Sequence, residues 1–114
     1  MSYKLEKLNE LIKQELGKIL LEEEEFGQGV LVTILGAETS QDLHQTTIVV
    51  SVWPNEKSEK ILNKLSSHIF FIQQMLNKKI QMHPVPKIRF ILNSDGAESQ
   101  KVDNLIESLK KTNS

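Results

Sequence analysis

The residues able to do chemistry are few and scattered. His44, His68 and His83 stand alone, with no second ligand three or four positions away, so no pair is spaced to hold a metal. The four carboxylates Glu22–Glu25 follow a helical pattern directly. A run of like charges there reads as a solvated, fraying helix end, because paired acid–base carboxylates need shielding and separated pKa values. No serine lies in a G-x-S-x-G elbow, and neither phosphate-loop glycine signature occurs. "FGQGV" has glycines two apart, but it precedes a strand, the wrong order for a phosphate-binding turn. Cysteine is absent, which removes thiolate chemistry and disulfides and suits a reducing compartment. A small enzyme built from dispersed Ser, His and acid groups is the weakest reading, and no cofactor is expected.

Charge placement says more. The chain of 114 residues has a formal net charge of −1, yet its signs are segregated. The first 25 residues set Lys4, Lys7, Lys13 and Lys18 against Glu6, Glu10, Glu15 and Glu22–Glu25. Residues 61–92 carry Lys64, Lys78, Lys79, Lys87 and Arg89 and no acid at all. Such a stretch is the side of the chain for a polyanion, through phosphate contacts that position a protein without reading sequence. Lysines ending a helix also offset its macrodipole, so each residue alone has a structural explanation. Aromatics do not interleave with the basic strand as an RNA-stacking sheet requires. Trp53, beside Pro54, reads as core edge, and one of Phe70 and Phe71 must leave the apolar stripe of its helix.

The elements that position these groups follow from periodicity. Leu5, Leu8, Leu11, Ile12, Leu16, Ile19 and Leu20 recur at spacings of three and four, predicting a helix over about 3–21. "VLVTILG" is a first strand, "AETSQDLHQ" a polar loop or bulged turn somewhat longer than a tight hairpin, and "TTIVVSVW" a half-buried second strand stopped by Pro54. Helical spacing returns from Glu56 to Lys79 through Ile61, Leu62 and Leu65, then Ile69, Ile72, Met75 or Leu76, and Ile80, as one bent helix or two. Pro84 and Pro86 then lead into "KIRFIL", whose Ile88, Phe90 and Leu92 share the core face and send Lys87 and Arg89 outward. "NSDG" is a turn, and Val102, Leu105, Ile106 and Leu109 predict a last helix. The sum is one α+β domain over 1–114, ordered over about 3–110, with helices packed mainly on one face of a three-stranded sheet. The amphipathic, charged start is neither a signal peptide nor a membrane span, so the expected setting is the cytoplasm.

With that order in place, the chain resembles the ribosome-binding factor A family over about residues 5–110. The resemblance rests on "VTILGAETSQDLHQTTIVVSV", with its acidic-Leu turn at Asp42-Leu43, on the helix leading to "VPKIRF", and on the turn and helix beyond. It implies a type II KH-like domain without catalytic activity. It further implies binding to the small ribosomal subunit and its 16S rRNA in late maturation, especially in the cold. Ribosomal proteins are possible further contacts, no membrane is involved, and a monomer is expected. Family helices meet at an Ala-x-Gly kink, which falls here at His68-Ile69-Phe70, and an arginine that often follows corresponds to Gln73. His68, Phe70 and Gln73 thus define the expected inter-helix corner. Lys64, Lys78, Lys79, Lys87 and Arg89 remain as RNA contacts. With the small kink residues and an N-terminal arginine pair absent, a KH-like protein-interaction module with little RNA binding is the alternative.

Overall fold

The computed structural model describes residues 3–93. Helix α1 (Tyr3–Glu23) precedes an antiparallel pair, β1 (Leu31–Thr39) and β2 (Gln45–Trp53). A 3₁₀ turn (Asn55–Lys57) opens α2 (Ser58–Ser67), α3 (Ile69–Lys79) follows, and β3 (Lys87–Leu92) closes the sheet parallel to β2. The strand order is β1-β2-β3. The residues of the last predicted helix lie outside the described residues.

Each element supplies one stripe to a single core. Ile12, Leu16, Ile19 and Leu20 come from α1; Ile48, Val50 and Val52 from β2; Ile61 and Leu65 from α2. Ile72 and Leu76 from α3 and Ile88 and Phe90 from β3 complete it, with Ile80 at the end of α3. Fully burying each such side chain contributes roughly 1.5–3 kcal/mol, far more than helix propensity supplies. The strand β2 is more enclosed than its alternation suggested: Thr46 to Val50 are all buried, because a strand flanks it on each edge.

The loop "AETSQDLHQ" is shorter than expected. A bulge at Leu35 lets Ile34 face Val50 and Gly36 face Val49, and pairing then continues to Thr39 opposite Thr46. Their hydroxyls meet at 2.7 Å in a buried contact, which extends the ladder into the segment read as a polar loop or bulged turn. Trp53 is no core-edge residue. Val52 takes the core side, so period two sends Trp53 to the other face, opposite the exposed Leu31 and itself 67% exposed.

Both sheet edges are met by side-chain amides from helices. Asn9 Oδ1 of α1 accepts the Thr39 N–H at 2.9 Å on the outer edge of β1. On the outer edge of β3, the Ile88 N–H donates to Gln73 Oε1 at 2.9 Å, while Gln73 Nε2 donates to the Pro86 carbonyl at 3.1 Å. One glutamine thereby does what a neighbouring strand would do for two backbone groups. Replacing Gln73 with Ala is expected to lower stability by about 1–2 kcal/mol, the cost of leaving a buried backbone donor unpaired. Urea denaturation of the variant checks this, and an unchanged midpoint would contradict the role.

Candidate nucleic-acid interface

The basic groups divide into a cluster and an outlier. Ile88 and Phe90 of β3 are buried while Lys87 and Arg89 are exposed, as the alternation predicts. Lys78 and Lys79 occupy the last turn of α3, exposed, with Ile80 buried behind them. One short connection, Ile80 to Pro86, joins that turn to Lys87, so Lys78, Lys79 and Lys87 stand at one end of the domain. The β1–β2 turn meets the same place, since the Lys87 N–H donates to the His44 carbonyl at 3.0 Å. Arg89 sits two positions along, its Nε donating to Thr47 Oγ1 at 3.2 Å, which holds the guanidinium against the sheet. Among the described residues no ion pair engages Lys78, Lys79 or Lys87.

Lys64 is elsewhere and occupied. Its Nζ donates to the Glu25 carbonyl and lies 5.7 Å from the Phe26 ring centroid, so it pins the chain after α1 to α2. This half-buried lysine fastens two elements and does not join the cluster.

The region between Ser58 and Lys79 is two helices, broken at His68 (φ −97°, ψ 10°) without glycine or proline. Two side-chain contacts sit at the break. Ser67 Oγ donates at 2.9 Å to the Lys64 carbonyl, which also accepts the His68 N–H at 3.0 Å. His68 Nδ1 meets Glu24 Oε1 at 2.9 Å, with the Glu24 side chain only 2% exposed. The run Glu22–Glu25 is therefore not uniformly solvated: Glu24 is buried and tied to the corner, while its neighbours are exposed. Nothing in the spacing of Glu24 and His68, 44 residues apart, announced this contact.

Phe70 projects from the corner at 75% exposure, and Phe71 is also exposed, so both phenylalanines leave the core stripe where one was expected to. The bulk that replaces a small kink residue points into solvent and does not wedge the helices apart. With Glu23, Glu24, Ser67 and His68 they line a shallow hollow of about 480 Å³. Gln73 does not belong to this corner, since its amide faces the start of β3. No group of three or more metal-ligating side chains occurs among the described residues, and no described helix is long and apolar enough to cross a membrane.

The helix–strand–strand–helix–helix–strand order, with one antiparallel and one parallel pairing, defines a type II KH-like α+β domain with a basic end. The family model described as ribosome-binding factor A matches residues 4–106, and the chain belongs to that family. A ribosome-binding factor A from Coprothermobacter proteolyticus is 31% identical over 106 residues, covering 93% of this chain and 77% of the relative. The crystal structure of the Thermus thermophilus factor superposes with a TM-score of 0.66 at 22% identity, over 79% of this chain and 97% of that one. A homology model of a T. thermophilus factor, fitted into the cryo-EM map of its 30S complex, gives a TM-score of 0.63 at 17% identity, covering 86% and 100%.

The acidic-Leu turn that abuts Lys87 has its own chemistry. Asp42 Oδ1 accepts the Ser40 hydroxyl at 2.6 Å and the His44 N–H at 3.0 Å, and Leu43 takes a left-handed φ of 64°. The Ser40 hydroxyl first, and then the His44 amide, hold the Asp42 carboxyl below its ordinary value of 3.8. A carboxyl depressed in the folded state stabilises the turn above its unfolded value, and that contribution is lost as pH falls through the folded value. An NMR titration of Asp42 should give a midpoint below 3.8, with the His44 amide signal moving in step. Asp42→Asn should abolish that acid transition, and a midpoint at or above the ordinary value would contradict these bonds.

Proposed function

We propose that this chain is a non-enzymatic assembly factor of the small ribosomal subunit, acting in the cytoplasm as a monomer on 16S rRNA in late maturation. The observation that carries the reading is the set of exposed cations at one end of a domain of this family. Lys78 and Lys79 close α3, Lys87 opens β3, and Arg89 lies beside it. Lysine and arginine there contact phosphates by charge, displacing counterions and orienting the domain without reading bases. The 30S complex of the T. thermophilus relative supports the small subunit as the target. Ribosomal proteins bordering the rRNA site would be further contacts, and the need for the factor would be greatest in the cold.

Charge reversal tests the surface. Lys78→Glu, Lys79→Glu and Lys87→Glu together are expected to reduce co-sedimentation with immature small subunits at least tenfold. All three side chains are exposed, so thermal unfolding and circular dichroism should stay close to the parent. Undiminished co-sedimentation of a folded triple variant would remove this surface from the account.

A further inference from the structure

Two threonines stand side by side near the start of β2, and they are used differently. Thr46 shares the core side with its register partner Ile88 and meets the Thr39 hydroxyl. Thr47 lies on the opposite face, between its register partners Glu38 of β1 and Arg89 of β3. It is only 5% exposed, a central-strand position where valine would pack as well with no polar atom to satisfy. Its Oγ1 accepts from Arg89 Nε at 3.2 Å. No ion pair joins Arg89 to Glu38 or to another carboxylate among the described residues. Arg89 is also the chain's single arginine, set among lysines.

The nitrogen that is engaged decides what is left. A guanidinium takes an oxyanion side-on through Nε and one Nη, or end-on through both Nη groups. With Nε turned onto Thr47, the side-on mode is closed. Both Nη groups remain for the solvent side, since Arg89 is exposed and Thr47 buried. The geometry points to Thr47 as a positioning residue, which fixes Arg89 for end-on, two-bond capture of one backbone phosphate. The role rests on rRNA binding at the basic end and divides that end by function. Lys78, Lys79 and Lys87 are point charges on flexible stems, which attract the backbone without fixing it. Arg89 sets the register, because its planar fork holds one phosphate in one orientation. The hydroxyl removes in advance part of the side-chain freedom that Arg89 would otherwise lose on binding.

Two measurements test this, the first without RNA. In the isotope-labelled full chain, exchange of the Arg89 Nε–H with solvent is expected to be about fivefold slower than in free arginine. Thr47→Ser should keep that protection and Thr47→Val should lose it. Valine preserves the shape and β-branching of the side chain, so the melting temperature should stay close to the parent. In the second measurement, Thr47→Val is expected to lower affinity for 16S rRNA about fivefold, with Thr47→Ser binding as the parent does. Arg89→Lys keeps the charge and removes Nε, so in that background Thr47→Val should cost nothing further. A threonine serving only the fold would cost the same in both. Three results would each overturn the inference: an unprotected Nε–H in the parent, equal affinity of parent and Thr47→Val, or an equal loss in the Arg89→Lys background. Lysine reversals that weaken binding beside an inert Thr47→Val would remove Thr47 alone. If both are inert, the basic end goes with it.

Discussion

The parallel pairing of β3 with β2 is the constraint on which the rest depends. Parallel neighbours cannot be joined by a hairpin, so the chain must leave β2 at Trp53, cross the sheet and return to start β3 beside Gln45. Six residues of strand span ~20 Å, whereas α2 and α3 fused into one helix would run ~33 Å. The crossover must fold on itself, and the break at His68 is where it does so. Two helices of ten and eleven residues then cover the sheet and place Ile61, Leu65, Ile72 and Leu76 over β2 and β3. The same return path sets the end of α3 beside the start of β3, and so puts Lys78 and Lys79 near Lys87.

Polar contacts between distant segments hold this arrangement. Glu24 reaches the corner through His68, Lys64 reaches back to the Glu25 carbonyl and the Phe26 ring, and Gln73 locks α3 to the first residues of β3. The exposed share of His68 limits what its contact with Glu24 contributes to stability. Its clearer effect is on direction, because it fixes where α2 stops. The Gln73 contacts satisfy buried backbone groups, where loss of a partner is costly. A glutamine at this position serves the fold, whatever charge another residue there would add.

What was legible in the sequence was what period and punctuation encode. The 3.6-residue spacing of Ile12, Leu16 and Ile19, the alternation of Ile88 and Phe90 against Lys87 and Arg89, and the two prolines before β3 marked the elements and their faces. The acid-free stretch from Ile61 to Leu92 marked the basic end. Features that depend on three-dimensional meetings were not legible. The bulge at Leu35, beside Gly36, shifts the register and lets pairing run on through residues 37–39, which read in sequence as part of a polar loop or bulged turn. Glu24 looked like one carboxylate among four, and only the fold shows which one is buried. Lys64 shared its sign with the basic cluster but sits on another element, facing the end of α1. Trp53 was misplaced because an aromatic beside proline suggests a core edge, while strand parity sends it outward.

The domain thus presents its exposed cations at one end, on α3 and β3. The central claim is that the basic end meets phosphates. The affinity of the full chain for small-subunit rRNA, measured as a function of salt concentration, tests it most directly. Four phosphate contacts predict that the logarithm of affinity falls against the logarithm of salt with a slope of about −3, a loss of roughly fiftyfold between 50 and 200 mM. An affinity indifferent to salt across that range would contradict the claim.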